Sequence, residues 1–345
     1  MTEPEALSQP PDPDRLAAAI RRHLGLRDKD RVSLEEVGEL SNINYVYRVE
    51  TPTRSLYLKA VPERPKRLPI KLPRERVFSE AEGLRTFGAL AGDDLVVPEV
   101  LFVDGEEMAL AMSDVGDGRE ILFNALPYSL HLITEHAEAL GRALGNVHAG
   151  THGKGSPRPA QEEAIIRKVV FDGLLGPGAK QVFPEHWDAV NAEMQQHREC
   201  LVHGDLWSKN LLVRRGAPIA VVDFEGVTYG DPAFDLGTLA AVVMLPALET
   251  PALMPEALDF IGKLLQSWSS ACGSKSWARD VRPRTFRAIA TFLAARGFGP
   301  FAYSMSEAAR NRIRDLARAL AANPPATYEA FRACVNSEAL SEIAS

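Results

Sequence analysis

The chain has 345 residues, of which 46% are hydrophobic, and its 39 basic and 46 acidic side chains give a formal net charge of −7. This length and apolar content allow two domains or one large one, and the mixed charges provide no broad basic face for nucleic acid. The three cysteines lie far apart, without the paired spacing of a zinc site or a disulfide framework.

The N-terminal segment is an acidic, proline-rich leader. Residues 1–14 show no hydrophobic periodicity and no apolar segment of signal-peptide type, which indicates disorder and a cytoplasmic protein. The longest apolar run, residues 236–248, contains Pro246 and is shorter than the roughly 20 residues of a membrane span, so no membrane segment is expected. The fold is predicted to begin with a helix capped by Asp14 and stopped by Gly25.

A small β-rich lobe is predicted next. Residues 45–50 and 55–61 have strand composition on the two sides of a turn, and the second strand carries Lys59. A basic loop follows and leads into a helix over residues 76–90, which carries Glu80 about one turn before its buried face.

A second hairpin and a polar connector complete this lobe. Residues 99–103 and 108–112 flank Asp104-Gly105, which is a favoured two-residue turn. Residues 114–118 are polar and glycine-containing, so they break the strand pattern and predict a hinge.

The remainder of the chain is predicted to be mainly helical, which divides the protein into an N-terminal lobe over residues 15–113 and a C-terminal lobe over residues 119–345. Thr134 is the predicted cap of a helix with an apolar stripe over residues 137–147, and His148 is expected to be a packed structural residue at its end. Further helices are predicted over residues 164–175, 187–198, 234–245, 255–269, 282–295 and 306–321.

The chemistry is carried by a short stretch inside this helical region, LVHGDLWSKNLLVRRGAPIAVVDFE, at residues 201–225. Asp205 precedes Asn210 by five residues, and two β-prone runs then lead to Asp223. Phosphoryl transfer needs a carboxylate that accepts the proton of the attacking hydroxyl, and hard oxygen ligands for magnesium. The pattern predicts a kinase in which Asp205 is the base and Asn210 and Asp223 hold magnesium, while His203 organises the loop by hydrogen bonding.

This stretch resembles the catalytic and metal-binding loops of the aminoglycoside phosphotransferase, choline kinase and methylthioribose kinase superfamily. The resemblance covers roughly residues 30–325 and implies an α+β, protein-kinase-like bilobal fold, with a small β-rich N-lobe and a larger, mainly helical C-lobe. It also implies the use of ATP and Mg. Gly204 stands where protein kinases have Arg, and Glu225 stands in place of the glycine of Asp-Phe-Gly. The missing glycine indicates that there is no flipping activation segment, and therefore favours a small hydroxyl-bearing acceptor over a protein.

The resemblance implies roles for several N-lobe residues. Lys59 would contact the α and β phosphates, and Glu80 would be its partner carboxylate. Ser41, Asn42 and Asn44 lie in the loop that would cover the phosphates, although Ser41 and Asn42 could equally make only a turn.

The resemblance also implies roles for residues of the connector and the C-lobe. Adenine would dock on backbone groups of Ser113 and Val115. Asp235 resembles the aspartate that braces the catalytic loop. Glu225 would either assist magnesium, as a third candidate ligand, or face the acceptor.

The identity of the acceptor stays open among amino alcohols, aminoglycoside-like antibiotics, sugars and hydroxy amino acids. Trp207 and Tyr229 flank the loops and either line the acceptor pocket or pack structurally. Glu225 and the phosphate-loop sequence favour the methylthioribose kinase branch, but Arg296 is a single candidate for an arginine pair and has no identifiable partner. A catalytically silent, kinase-like nucleotide-binding protein is the alternative from another class. The sequence leaves the oligomeric state open.

Overall fold

The computed structural model describes residues 8–37, 43–66, 71–125 and 130–338. Its N-terminal part is a five-stranded antiparallel sheet in the order β1-β2-β3-β5-β4, with one long helix beside it. The elements are α1 Pro13–Leu24, β1 Ser33–Glu36, β2 Tyr45–Glu50, β3 Ser55–Ala60, α2 Arg76–Leu90, β4 Val100–Asp104 and β5 Ala109–Ser113.

Two boundaries in this lobe differ from the prediction. Helix α1 is capped by Asp12 instead of Asp14, because the Asp12 side chain accepts a hydrogen bond from the Asp14 N–H and Pro13 occupies the first helical position. The turn between β4 and β5 has four residues instead of two. Asp104 sets this longer turn, since its carboxylate accepts the backbone N–H groups of Glu106 and Glu107, each at 2.9 Å.

The C-terminal part is mainly helical and encloses two small sheets, one in the order β6-β8-β9 and the other pairing β7 with β10. Its strands are β6 Glu120–Ile121, β7 Cys200–Val202, β8 Leu211–Arg214, β9 Ala217–Val221 and β10 Thr228–Gly230. Its helices are α3 Leu122–Ala125, α4 His131–Thr134, α5 Ala137–Thr151, α6 Ala160–Lys168, the π-helical segment Val169–Leu175, α7 Gly176–Val182, α8 Pro184–Gln196, α9 Pro232–Glu249, α10 Met254–Ala271, α11 Lys275–Phe298, α12 Glu307–Ala322 and α13 Tyr328–Glu338.

The predicted cap of α5 is wrong. Thr134 ends the short helix α4, where its hydroxyl donates to Glu256 at 2.7 Å, and His136 occupies the capping position without a side-chain hydrogen bond. His148 does not end α5, which continues to Thr151. The His148 side chain is fully buried, in agreement with the structural role expected for it.

Helix α9 is the central helix of the C-lobe core. Among the described residues it is the one helix whose length and composition would allow it to cross a membrane, yet 89% of it is buried inside the protein. It packs against α10 and α11, and its buried polar residues are Asp235 in the first turn and Thr238 one turn later. The apolar surface of α9 is therefore explained by its position in the core.

Helix α2 lies unusually close to the segment after β9. A Cβ atom on Gly83 would lie 2.6 Å from Cγ1 of Val227, which is closer than real carbon atoms approach. The absence of a side chain at Gly83 therefore lets α2, and with it Glu80, approach the segment that follows Asp223.

We predict that Gly83→Ala lowers the free energy of unfolding by about 1–3 kcal/mol, because the new methyl group overpacks the contact with Val227. Gly88→Ala is the matched control on the same helix, where nothing lies within 4 Å of the added Cβ. It should stabilise by about 0.5–1 kcal/mol through helix propensity. Urea unfolding measures both changes. Adding Val227→Ala should relieve the Gly83→Ala penalty, and purely additive effects would contradict the proposed contact.

Candidate active site

The loop between β7 and β8 carries Asp205, and its path depends on a glycine. Gly204 has a φ of 78°, and a Cβ atom there would lie 2.4 Å from the carbonyl oxygen of Gly226. A side chain would therefore collide with backbone as well as strain the left-handed conformation. Gly204 allows the loop to cross directly over the segment that follows Asp223.

Asp235 braces this loop from the core helix α9. Its two carboxylate oxygens accept the backbone N–H groups of His203 at 2.8 Å and Gly204 at 3.0 Å. His148 contacts the same carboxylate at 3.3 Å and accepts a hydrogen bond from the Trp268 indole. A buried carboxylate thus fixes the backbone immediately before Asp205.

His203 organises the loop instead of facing a substrate. Its Nδ1 accepts the Asp205 N–H at 3.2 Å, and its Nε2 lies 3.2 Å from the carbonyl oxygen of Val222. The ring packs against Phe87 and Phe224. Burial lowers the pKa of His203, so a neutral ring with the proton on Nε2 satisfies both hydrogen bonds.

Asp205 and Asn210 are joined within the loop. The Asn210 amide nitrogen donates to Asp205 Oδ2 at 2.8 Å and to the Asp205 carbonyl at 2.9 Å. Burial and the neighbouring charge of Asp223 raise the pKa of Asp205 to about 7, against the opposing effects of Arg296, Asn210 and Trp207. A carboxylate with a pKa near neutrality is suited to general base work.

Asp223 follows β9 in a conformation that is uncommon for a residue with a side chain. Its φ is 64°, in the left-handed region, and such outliers in folded proteins often mark functional sites. Its Oδ1 accepts a hydrogen bond from Lys59 Nζ at 2.6 Å. The C-lobe segment after β9 is therefore tied directly to the N-lobe sheet.

Lys59 is buried and shared among carboxylates. Its Nζ lies 2.7 Å from Glu80, so the ion pair expected from the sequence is present, and 3.6 Å from Glu225. Burial alone would lower the pKa of Lys59, but the charges of Asp223, Glu80 and Glu225 together raise it. The lysine is therefore fixed in its charged form, which suits an interaction with phosphate oxygens.

Glu225 and Asn44 form a second bridge between the lobes. The Asn44 amide nitrogen donates to Glu225 Oε2 at 2.5 Å, and its Oδ1 accepts from Arg76 at 2.9 Å. Burial and the charge of Asp223 raise the pKa of Glu225 to about 8. Both polar ends of the buried Asn44 side chain are thus used within the protein, which differs from the phosphate contact expected of it. The loop residues Ser41 and Asn42 lie outside the described residues.

The oxygen atoms around Asp205 fit magnesium. Asn210 uses its amide nitrogen for Asp205, and its Oδ1 accepts no hydrogen bond from the described residues. Asp223 is 29% exposed and uses only Oδ1 for Lys59. No group of three His, Cys, Asp or Glu side chains suited to a metal occurs within the described ranges. Two protein oxygens without a complete cage suit magnesium, which usually keeps waters and binds substrate phosphates as well.

The connector has fewer free backbone groups for binding adenine than expected. The Ser113 N–H donates to the carbonyl of Glu99 at 2.9 Å, and its hydroxyl accepts the Glu99 N–H. The carbonyl of Val115 accepts from Arg119 at 3.1 Å. Among the described residues, the Val115 N–H has no hydrogen-bond partner. Of the two residues proposed to bind adenine, Val115 is therefore the one with an available backbone donor.

Sequence reasoning missed Arg158, which supports the segment after Asp223. Its buried guanidinium donates to the backbone carbonyls of Glu225 and Val227 and pairs with Glu162. Glu162 also accepts from Ser79, which neighbours Glu80 on α2. Arg158 lies in a proline-rich loop without periodicity, so no local signal could have identified it.

The two candidate acceptor-site aromatics have different environments. Tyr229 is buried, and its hydroxyl donates to the carbonyl of Thr151 at 3.3 Å, so it packs in the core. Trp207 is half-buried beside Asp205, and the Arg296 guanidinium lies 4.0 Å from the centre of its ring. Trp207 and Arg296 therefore remain candidates for contact with the acceptor.

We predict that Asp235→Ala lowers the free energy of unfolding by about 2–6 kcal/mol, because the N–H groups of His203 and Gly204 lose their acceptor and remain buried. Asp235→Asn retains one acceptor oxygen and should cost less. Asp188→Ala, an exposed carboxylate on α8, is the control and should be near neutral. Chemical denaturation measures the free energy of unfolding of all three variants. A loss for Asp235→Ala as small as that for Asp188→Ala would contradict the bracing role.

Comparison with known proteins identifies the family of the chain. Residues 37–270, more than half of the chain, match the phosphotransferase enzyme family. The chain is 24% identical to the 4-hydroxytryptamine kinase of Psilocybe cyanescens over 298 residues, which cover 77% of this chain and 79% of that protein. It is also 24% identical to the methylthioribose kinase of Bacillus cereus strain B4264 over 285 residues, 72% of this chain and 68% of that protein.

Solved structures agree as well. The choline/ethanolamine kinase family protein of Mesorhizobium loti superimposes with a TM-score of 0.50 at 18% identity, covering 95% of this chain and 99% of that one. The predicted kinase-like bilobal fold is thereby confirmed. The chain belongs to the phosphotransferase enzyme family and is a small-molecule kinase.

Proposed function

We propose that the protein transfers the γ-phosphate of ATP to a hydroxyl group of a small molecule, with Asp205 as the base and with Asn210 and Asp223 holding magnesium. The observation that carries this proposal is the convergence of both lobes on one place. Lys59 from the N-lobe sheet lies 2.6 Å from Asp223, and Asn210 lies 2.8 Å from Asp205.

The arrangement supplies what phosphoryl transfer requires. Asp205 accepts the proton of the acceptor hydroxyl as the oxygen–phosphorus bond forms and the bond from the γ-phosphorus to the bridging oxygen of ADP breaks. Lys59 places a positive charge beside the phosphates. Bound magnesium would neutralise charge on the phosphate oxygens. Asn210 orients Asp205 by its hydrogen bond, and Asp235 fixes the backbone that carries it.

The relatives do not specify the acceptor. 4-Hydroxytryptamine kinase and methylthioribose kinase are named for two unlike compounds. The presence of Lys59, Glu80, Asp205, Asn210 and Asp223 in one connected site favours an active enzyme over a silent binding protein, because a scaffold has no physical need for all five.

We predict that Asp205→Ala lowers kcat about 100- to 10,000-fold, since general base catalysis is lost. ATP affinity should change little, because Lys59 and Asp223 remain. The assay couples ADP release to a panel of hydroxyl acceptors, with nucleotide binding measured separately by calorimetry. Asp188→Ala is again the surface control. Retention of full turnover by Asp205→Ala would rule out the assigned role.

We also predict that Asp223→Asn and Asn210→Ala raise the Mg²⁺ concentration for half-maximal rate at least about tenfold, which corresponds to roughly 1.4 kcal/mol of lost metal binding. A magnesium titration at saturating ATP measures this shift. Glu225→Gln in the same titration tests whether Glu225 is a third metal ligand. If the Mg²⁺ concentration for half-maximal rate is unchanged, Glu225 serves only its contacts with Asn44 and Lys59. An unchanged midpoint for Asp223→Asn would contradict the proposed metal site.

A further inference from the structure

Three aromatic rings form a platform beside the proposed base. They are Phe123, Trp207 and Tyr303, and we call them the aromatic platform. The ring centre of Phe123 lies 5.5 Å from that of Tyr303 and 6.4 Å from that of Trp207. The Trp207 backbone N–H donates to the carbonyl of Asp205 at 2.9 Å, and the Trp207 side chain also interacts with the Asp205 carboxyl and lowers its pKa, so the platform adjoins the base.

Two cationic side chains lie on this platform. The Arg296 guanidinium carbon lies 4.0 Å from the ring centre of Trp207 and 5.9 Å from that of Tyr303. Lys209 Nζ lies 5.1 Å from the ring centres of both Phe123 and Trp207. Aromatic faces attract cations at these distances, so the rings hold both charges in place.

Neither cation forms an ion pair with a carboxylate among the described residues, although the charge of Arg296 acts on Asp205 and lowers the pKa of that carboxyl. Arg284 and Arg287 lie on the same helix as Arg296 and form ion pairs of 2.7 Å with Asp231 and Glu193, respectively. Arg296 and Lys209 make no ion pair or hydrogen bond through their side chains within the part of the chain that the structure describes. The N–H groups of Arg296 therefore remain available to a ligand, since ring stacking uses only the face of the guanidinium.

Two positive charges without an ion-pair partner select for the charge of a ligand. They repel an ammonium group that approaches the same place, and they attract a carboxylate or a phosphate, which Arg can bind through two parallel hydrogen bonds. The platform is built from C-lobe residues next to Asp205, whereas Lys59 extends from the N-lobe sheet. This separation favours the acceptor as the ligand of the two cations over the ATP phosphates.

We propose that the phosphate acceptor carries an anionic group, a carboxylate or a phosphate, which Arg296 and Lys209 bind while its hydroxyl lies at Asp205. This inference rests on the proposed function, because it assigns a substrate class to the same site. It predicts that amino alcohols and aminoglycosides are poorer acceptors than hydroxy acids and acidic or phosphorylated sugars.

The test is a set of related acceptors whose members differ in charge. One series comprises glycerate, glycerol 3-phosphate, glycerol and 3-amino-1,2-propanediol, and another comprises glucuronate, glucose 6-phosphate, glucose and glucosamine. A third comprises 4-hydroxyphenylacetate, tyrosol and tyramine. We expect kcat/KM for the anionic member of the accepted series to exceed that of the neutral and cationic members at least about tenfold, as expected for a hydrogen bond between charged groups. Comparing the carboxylate with the phosphate member of a series shows which of the two anionic groups the site prefers.

Arg296→Gln and Lys209→Gln separate this inference from a general role in catalysis. Each should lower kcat/KM for the anionic acceptor about 10- to 100-fold and lower that for the neutral analogue much less, with the KM for ATP nearly unchanged. Arg279→Gln, an exposed residue of α11 without an ion pair among the described residues, is the matched control. Preference for a neutral or cationic member, or an equal loss for every acceptor in Arg296→Gln, would overturn the inference while leaving the kinase assignment intact. Transfer to no member of any charge would count against both.

Discussion

The contact between Lys59 and Asp223 is the interaction on which the site depends. It joins the N-lobe sheet to the end of β9 in the C-lobe across 2.6 Å, and Glu80 and Glu225 complete the charge cluster around the buried ammonium. Removing charges from water is costly, and such a cluster is weak evidence for stability by itself. Its position fits the proposed chemistry, since it holds a positive charge beside the oxygens proposed to bind magnesium at one point between the lobes.

The surrounding packing keeps this cluster in place. Helix α2 brings Glu80 close to the segment after Asp223 because Gly83 has no side chain that would collide with Val227. From the other side, Arg158 holds the carbonyls of Glu225 and Val227. Asp223 can therefore retain its left-handed conformation, because its neighbours on both sides are fixed by buried contacts.

The proposed acceptor side is organised by a different physical principle. The charges of the Lys59 cluster are balanced in ion pairs, whereas Arg296 and Lys209 are held by aromatic faces and form no ion pair with the described residues. An ion pair within the protein would neutralise these cations, and a stacking interaction does not. The structure thus contrasts an ion-paired lysine with two cations that have no ion-pair partner among the described residues. Asp205 interacts with both regions, since the charge of Asp223 raises its pKa and that of Arg296 lowers it.

The local sequence determined much of this protein. The spacing of Asp205, Asn210 and Asp223 around two β-prone runs identified the hairpin, and periodicity located α2 and most of the C-lobe helices, because such signals depend on neighbours along the chain. Helix caps were less predictable. Asp12 and Asp14 have the same capping chemistry, and only the observed hydrogen bond distinguishes them.

Only the tertiary structure decided which distant side chains meet. The hydrogen bond between Asn44 and Glu225 joins residues 181 positions apart in the chain. The sequence predicted that the Asn44 amide would face phosphate, and it could not show that Glu225 would accept a hydrogen bond from this amide instead. Arg158 has no local pattern, and its role depends on carbonyl groups 67 and 69 residues away. Arg296 was a cation without an identifiable partner until folding placed it on Trp207, 89 residues earlier in the chain, beside Lys209. The sequence therefore determined the reaction class through short-range spacing, and the fold decided the charge of the proposed acceptor site, because that charge depends on long-range contacts that leave no periodic signal.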